Sequence, residues 1–162
     1  MTIRSATITD IPAIYRLAHE IWWPTYQSFI SAEQITFMLA EMYSIEMLEE
    51  QFKEGIGFLL AERDEEHIGF AAYSLSEPEN NVFKLHKLYI LPSEQGKGTG
   101  KKLIEYIADL SKLKGGKVLE LNVNRSNPAL NFYKKIGFEI YQTVDIPYHQ
   151  FTLNDYVMRK EL

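Results

Sequence analysis

The strongest chemical pattern in the chain is Gln95-Gly96-Lys97-Gly98-Thr99-Gly100. Three glycines alternate through it, Pro92 stands just before it, and Lys101 and Lys102 follow. Glycine backbone can approach a ligand with no Cβ in the way. A helix starting here presents unpaired N–H groups and the positive end of its dipole. Together these features make a site for phosphate or diphosphate, and Lys97, Lys101 and Lys102 add positive charge. The spacing is not that of a P-loop, G-x-x-x-x-G-K-[ST], nor of a dinucleotide fingerprint, G-x-G-x-x-G. It fits [QR]-x-x-G-x-[GA]. The same glycines would also serve as a flexible strand-to-helix turn without a ligand.

A strand must deliver this loop and a helix must leave it. Val82–Ile90 reads as that strand, ended by Pro92. Gly98–Lys114 reads as the helix. Leu103, Ile104, Ile107, Leu110 and Leu113 give it one apolar stripe, and Gly115-Gly116 stops it. Upstream, Ile3–Ala6 is a short first strand. Thr9-Asp10 offers a cap to a helix carrying Ile11, Ile14, Leu17, Ala18 and Ile21, with Pro12 in its first turn and Pro24 closing it. Ser31-Ala-Glu-Gln34 reads as a capping box for a helix to about Tyr43, and Ser44 caps a shorter one through about Phe52. Gly57–Arg63 and His67–Ser76 form a hairpin around Asp64-Glu65-Glu66. Downstream come a strand at Lys117–Val123, a short helix at Pro128–Ile136, and strands at about Phe138–Val144 and Phe151–Lys160. The expected fold is α/β: a mixed, mostly antiparallel twisted sheet of about six to seven strands with helices on both faces.

Length and composition narrow the field. The 162 residues suit one domain, residues 1–162, with its own core. Hydrophobic residues at 46% and charged residues at 24% are ordinary for a globular chain. A net charge of -5 argues against general nucleic-acid binding. There is no cysteine, which removes disulfides, thiolate metal sites and a cysteine nucleophile. No apolar run reaches the roughly 18 residues that span a bilayer, and the first residues lack an apolar signal core. A cytoplasmic protein with no membrane partner and no metal is expected.

Beyond the loop, the sequence resembles the GNAT superfamily of N-acetyltransferases. Leu88-Tyr-Ile-Leu-Pro92 is similar to the family's central strand and its exit. Asn127-Pro-Ala129-Leu-Asn-Phe-Tyr133-Lys-Lys-Ile-Gly137-Phe138 is similar to a second signature, N-x-x-A-x-x-F-Y-x-x-x-G-F, and Asp155–Lys160 to the last strand. The chain also resembles the PaiA-type bacterial polyamine acetyltransferases, in its tail after Phe138 and in the two helices across Ser31–Phe52.

The resemblance implies acetyl-coenzyme A as co-substrate and direct attack of an amine on its thioester in a ternary complex. Backbone amides of Gln95, Gly96, Lys97, Gly98, Thr99, Gly100 and Lys101 would hold the diphosphate. Leu88, Tyr89 and Ile90 would run along the pantetheine arm, Lys117–Val123 would diverge from them, and Asn127 would touch the arm. Tyr133 would protonate the leaving thiolate, its alternative being a core aromatic. An alkylamine near pKa 10 is only about one part in a thousand neutral at pH 7, so a base is useful. His86 is the candidate, or else a histidine packed beside the sheet. Lys84 cannot accept a proton while charged. Trp22, Trp23 and Tyr26, with Glu20, would attract an ammonium-bearing acceptor, or else serve as core and interface. Tyr148 and His149 fall between the last two strands and would close over the slot or meet a partner subunit.

The expected activity is acetylation of a primary amine on a small molecule, with a polyamine as one option and a homodimer as one possible assembly. The alternatives are a protein or peptide N-acetyltransferase and a non-catalytic module that senses acyl-coenzyme A.

Overall fold

The computed structural model describes residues 1–162. The strands are β1 (Thr2–Ser5), β2 (Gly57–Arg63), β3 (Glu66–Glu77), β4 (Val82–Ile90), β5 (Val118–Asn124), β6 (Glu139–Tyr148) and β7 (Phe151–Glu161). The helices are α1 (Ile11–Tyr26), α2 (Ala32–Tyr43), α3 (Ile45–Lys53), α4 (Thr99–Leu113) and α5 (Ala129–Lys135). Strand order is β1-β2-β3-β4-β5-β7-β6. Pairs β1–β2, β2–β3, β5–β7 and β6–β7 are antiparallel and β4–β5 is parallel. This is the mixed, mostly antiparallel sheet expected from the element order.

The chain forms two compact units. The first holds Met1–Ser74 and Lys87–Tyr106, and the second Leu75–His86 and Ile107–Leu162. Burial in the first unit follows periodicity. Ile11, Ile14, Leu17, Ala18, Ile21 and Trp22 return every three or four residues along α1 and are all buried. Ser31 caps α2 by accepting from the Gln34 N–H, and Ser44 caps α3 by accepting from the Met47 N–H, each such cap contributing about 1 kcal/mol. The β2–β3 turn has two residues. Asp64 (φ 52) and Glu65 (φ 66) both take positive φ, and Arg63 pairs with Glu66, the geometry that suits a twisted hairpin.

Five expectations need correction. The Asp10 carboxylate does not cap α1; it accepts from both Arg4 guanidinium nitrogens at 2.9 Å and from the Thr7 N–H. The Arg4 bonds hold it down at about pKa 2. The capping box at Ser31 is half formed, because the Gln34 amide turns to the Met38 sulfur. Pro24 does not end α1, which runs on to Tyr26. A proline removes its own N–H bond and crowds the carbonyl four residues back, both effects falling on the turn before it, so the last turn still forms, closed by Gln27 N–H donating to the Trp23 carbonyl. In α4, Leu113 is 85% exposed, because six residues past Ile107 is about 240° around the helix. Ala108 and Ser111 take the buried positions instead. Finally, β6 extends to Tyr148 and not Val144. Pro147 pairs within it against Thr152, which an edge strand tolerates because one side of the ladder needs no donor.

Candidate active site

In the first unit, β4 delivers the chain to the glycine loop. Leu91 N–H donates to the Ile68 carbonyl, and Gly69 faces the Tyr89 carbonyl so closely that a Cβ there would lie 2.8 Å from it. Only glycine allows that approach. Past Pro92, Gly96 and Gly98 both take φ +81, and no atom lies within 4 Å of where their Cβ would be. These two glycines are therefore needed for backbone shape, and the space beside them is open. Lys102 N–H is the first to return to the helical pattern, donating to the Gly98 carbonyl. The amides from Gly96 to Lys101 donate to no backbone carbonyl. The buried Thr99 hydroxyl also lacks a partner. A row of undonated N–H groups at the start of α4, next to open space, fits a diphosphate.

Beneath the loop lies a carboxylate. Glu94 is buried, and it accepts from Arg63 Nε at 3.1 Å and Lys97 Nζ at 3.3 Å. Burial alone would raise its pKa, but the bonds from Lys97 and Arg63 outweigh that and hold it below the ordinary carboxylate range. Lys97 is thus tied to the protein, while Lys101 is exposed and only 3.8 Å from Glu105.

The same unit carries a group of packed rings. Trp22 and Tyr26 from α1, Tyr43 from α2, Phe70 from β3 and Tyr89 from β4 have neighbouring centroids 4.5–6.3 Å apart. The Tyr26 and Tyr89 hydroxyls are 2.9 Å apart. Trp22 and Tyr43 are buried at 2% and 1% exposure, and Tyr26 and Tyr89 are half-buried. Trp23, next on α1, is 36% exposed. The Lys87 ammonium lies over the Tyr43 ring, 4.5 Å from its centroid. Burial pushes its pKa down to about 8.

In the second unit, β4 and β5 pair only over Val82–Leu85 and Val118–Leu121, although β4 continues to Ile90 and β5 to Asn124. The parallel ladder stops while both strands go on. His86 is exposed on β4, the first residue past the paired stretch. Asn127 Oδ1 accepts from the Ala129 N–H at 2.9 Å, so this side chain starts α5. Tyr133 on α5 packs between Phe132 and Phe138, with centroids at 5.4 and 5.9 Å. Burial pushes its phenol up to about 12. It therefore stays protonated across any physiological pH and can act as a hydrogen-bond donor. Tyr148 and His149 sit together at the β6–β7 turn, ring centroids 4.9 Å apart.

The first unit thus brings together Leu88–Ile90, the loop Gln95–Lys101, Trp22 and Tyr26; Trp23 stands outside the ring group. His86, Asn127 and Tyr133 belong to the second unit. Sequence reasoning missed Lys87, Tyr43 and the Glu94 clamp. The signal for Lys87 was available: on a strand of period two it shares a face with Leu85 and Tyr89.

Comparison with known proteins supplies the context. The model of the acetyltransferase (GNAT) family matches residues 15–138. A spermidine N(1)-acetyltransferase of Thermoplasma acidophilum is 33% identical over 147 residues, covering 87% of this chain and 89% of the relative. The crystal structure of a PaiA N-acetyltransferase of Thermoplasma acidophilum in complex with coenzyme A superposes with a TM-score of 0.86 at 30% identity, covering 99% and 98% of the two chains. The ribosomal-protein-S18-alanine N-acetyltransferase of Escherichia coli, at 20% identity and a TM-score of 0.74 over 99% and 92%, shares the fold.

Proposed function

This chain belongs to the GNAT family of acetyltransferases, and from that premise we propose that residues 1–162 act as one domain that acetylates a primary amine of a small polyamine, using acetyl-coenzyme A. The row of undonated amides from Gly96 to Lys101 at the start of α4 carries the reading, because a diphosphate answers those donors. The amides would hold the coenzyme with Lys97 and Lys101 beside them, and the edge of β4 at Leu88–Ile90 that runs on past its pairing with β5 would carry hydrogen bonds to its arm. Bound there, the coenzyme supplies the acetyl group as a thioester. Tyr133, held protonated by burial, would donate a hydrogen bond to the sulfur as it leaves. A phenol near 12 is a weak acid toward a thiolate whose own pKa is near 8.5. Its part is therefore to stabilise the thiolate, and the proton lost by the amine ends on the sulfur. His86, exposed on β4, would carry that proton on its way. A cytoplasmic setting, where acetyl-coenzyme A and polyamines meet, fits this reading.

The polyamine class is supported by the relative that acts on spermidine and by the half-buried Tyr26 and Tyr89 rings, which suit an ammonium. A coenzyme A release assay with spermidine, an alanine-terminated peptide and an aminoglycoside tests it. Release with spermidine alone supports the proposal. Release with the peptide alone replaces it by a protein acetyltransferase. Coenzyme binding without release for any amine replaces it by a sensor.

A further inference from the structure

We propose that Lys87 is a specificity-determining residue: a cationic acceptor seated against Tyr26 and Tyr89 drives the proton off the Lys87 amine, so that acceptor binding and proton release are coupled. This rests on the reading that the ring group receives the acceptor.

Lys87 has 9% of its surface exposed. Its ammonium makes no salt bridge and no hydrogen bond; its one partner is the face of Tyr43. An unpaired charge in such a place is unfavourable, which is why its pKa falls to about 8, with burial as the cause. The titratable group it touches is a phenol, Tyr43 on α2, and the phenols next in line are Tyr89 on β4 itself, against Tyr43, and Tyr26 on α1, against Tyr89. Burial drives Tyr43 well above its ordinary value, so it is neutral. From β3 the ring group receives Phe70, while Tyr73, three residues on, points to the other face of the sheet. No carboxylate balances the lysine.

Two consequences follow for a cationic ligand. The Tyr43 face is already filled by the chain's own cation, so the ligand's ammonium must use Tyr26 and Tyr89. There it stands within two ring contacts of a second positive charge. Across roughly 8–10 Å at an effective dielectric near 20, that repulsion is worth about one pKa unit. Between an alkylammonium near pKa 10 and a lysine already lowered by burial, the lysine gives up its proton. The residue thereby sets a pH below which a polyamine is admitted poorly, and it leaves the glycine loop untouched.

Calorimetric titration of spermidine into the coenzyme A-saturated protein at pH 7, in phosphate and in HEPES, counts the protons released. The wild-type chain should release about 0.4 of a proton per spermidine, the change in protonation at pH 7 when a pKa of about 8 falls by about one unit, and Lys87→Met about none. Lys87→Arg, which keeps its proton, should bind spermidine about tenfold more weakly than Lys87→Met and release none. Coenzyme A affinity should be equal in all three. Equal proton release by wild type and Lys87→Met would overturn the inference while leaving spermidine as the acceptor. Failure of spermidine to bind any of the three proteins would overturn the acceptor reading and this inference with it.

Discussion

The glycine loop and the ring group lie in one unit of the molecule and are built by opposite means. The loop is seven consecutive residues whose donors are main-chain amides, held in shape by φ +81 at Gly96 and Gly98 and underpinned by the Glu94 clamp. The ring group draws single side chains from α1, α2, β3 and β4, and its one charge is an unpaired lysine. A site made of backbone is insensitive to which side chains surround it, provided the dihedral angles hold. A site made of side chains changes with each of them. Under the proposed function, that contrast would allow a constant coenzyme site and a variable acceptor site within one family.

The comparison breaks most directly at Gly98. A carboxylate side chain there must adopt left-handed backbone geometry, at roughly 1–2 kcal/mol, and bring a negative charge to a site built for an anion. Gly98→Glu should weaken coenzyme A binding at least about 100-fold by calorimetry, with the fold intact by circular dichroism. The cause is strain and charge, not crowding, since the space beside Gly98 is open. A fall in spermidine affinity of the same size would show that the two regions are not separable.

Tyr133→Phe comes next. Removing the phenol should lower kcat by about 10–100-fold, the loss of one hydrogen bond of about 1.5–3 kcal/mol to a charged leaving group, and leave the affinity of both ligands in place. With the Tyr133 pKa near 12, the deficit should be constant from pH 6 to 9. A deficit that closes with rising pH would mean that Tyr133 acts by passing its own proton.

Lys87→Met sharpens the contrast through stability. The folded-state pKa of Lys87, about 8, is below its unfolded value near 10.4. Between those values the unfolded chain binds the extra proton, so wild-type stability rises with pH across this window. At pH 7 the buried charge costs the fold on the order of 2–3 kcal/mol. The Met variant should therefore melt several degrees higher at pH 7 and lose that advantage as the pH approaches 10. An equal or lower melting temperature at pH 7 would show that the ammonium is compensated by a partner.

These contrasts also explain what could be read from the chain before its structure. The loop was legible because its residues are contiguous and its glycines answer to one backbone requirement. The helices were legible from spacing, except where end effects decide: Pro24 sits too near the end of α1 to stop it, and Leu113 has rotated off the buried face of α4. Pro147 concealed the true length of β6, because only strand order reveals that β6 is an edge. Trp22 and Tyr26 were picked out for chemistry, but their partners Tyr43, Phe70 and Tyr89 are scattered over the sequence. No local pattern announces that five rings meet. Lys87 was passed over because a lysine in a strand reads as solvent-facing until its neighbours on the same face, Leu85 and Tyr89, are seen to be covered.

The finest test is Tyr26→Phe. It keeps the ring beside Trp22 and Tyr89 and deletes only the hydroxyl paired with Tyr89 at 2.9 Å. One such bond is worth about 1 kcal/mol net; where all of it goes into placing the two rings against the amine, KM rises by about fivefold at most, with kcat and coenzyme A affinity unchanged. Tyr26→Leu removes the π face as well and should raise KM further, by the additional contribution of an ammonium–ring contact. If the two substitutions give the same KM, the hydroxyl pair carries the whole of the Tyr26 contribution, and the acceptor is held by hydrogen bonding, not by the ring face. If neither changes KM, the amine is bound elsewhere, and the ring group is the packed core of its unit with a lysine trapped inside it.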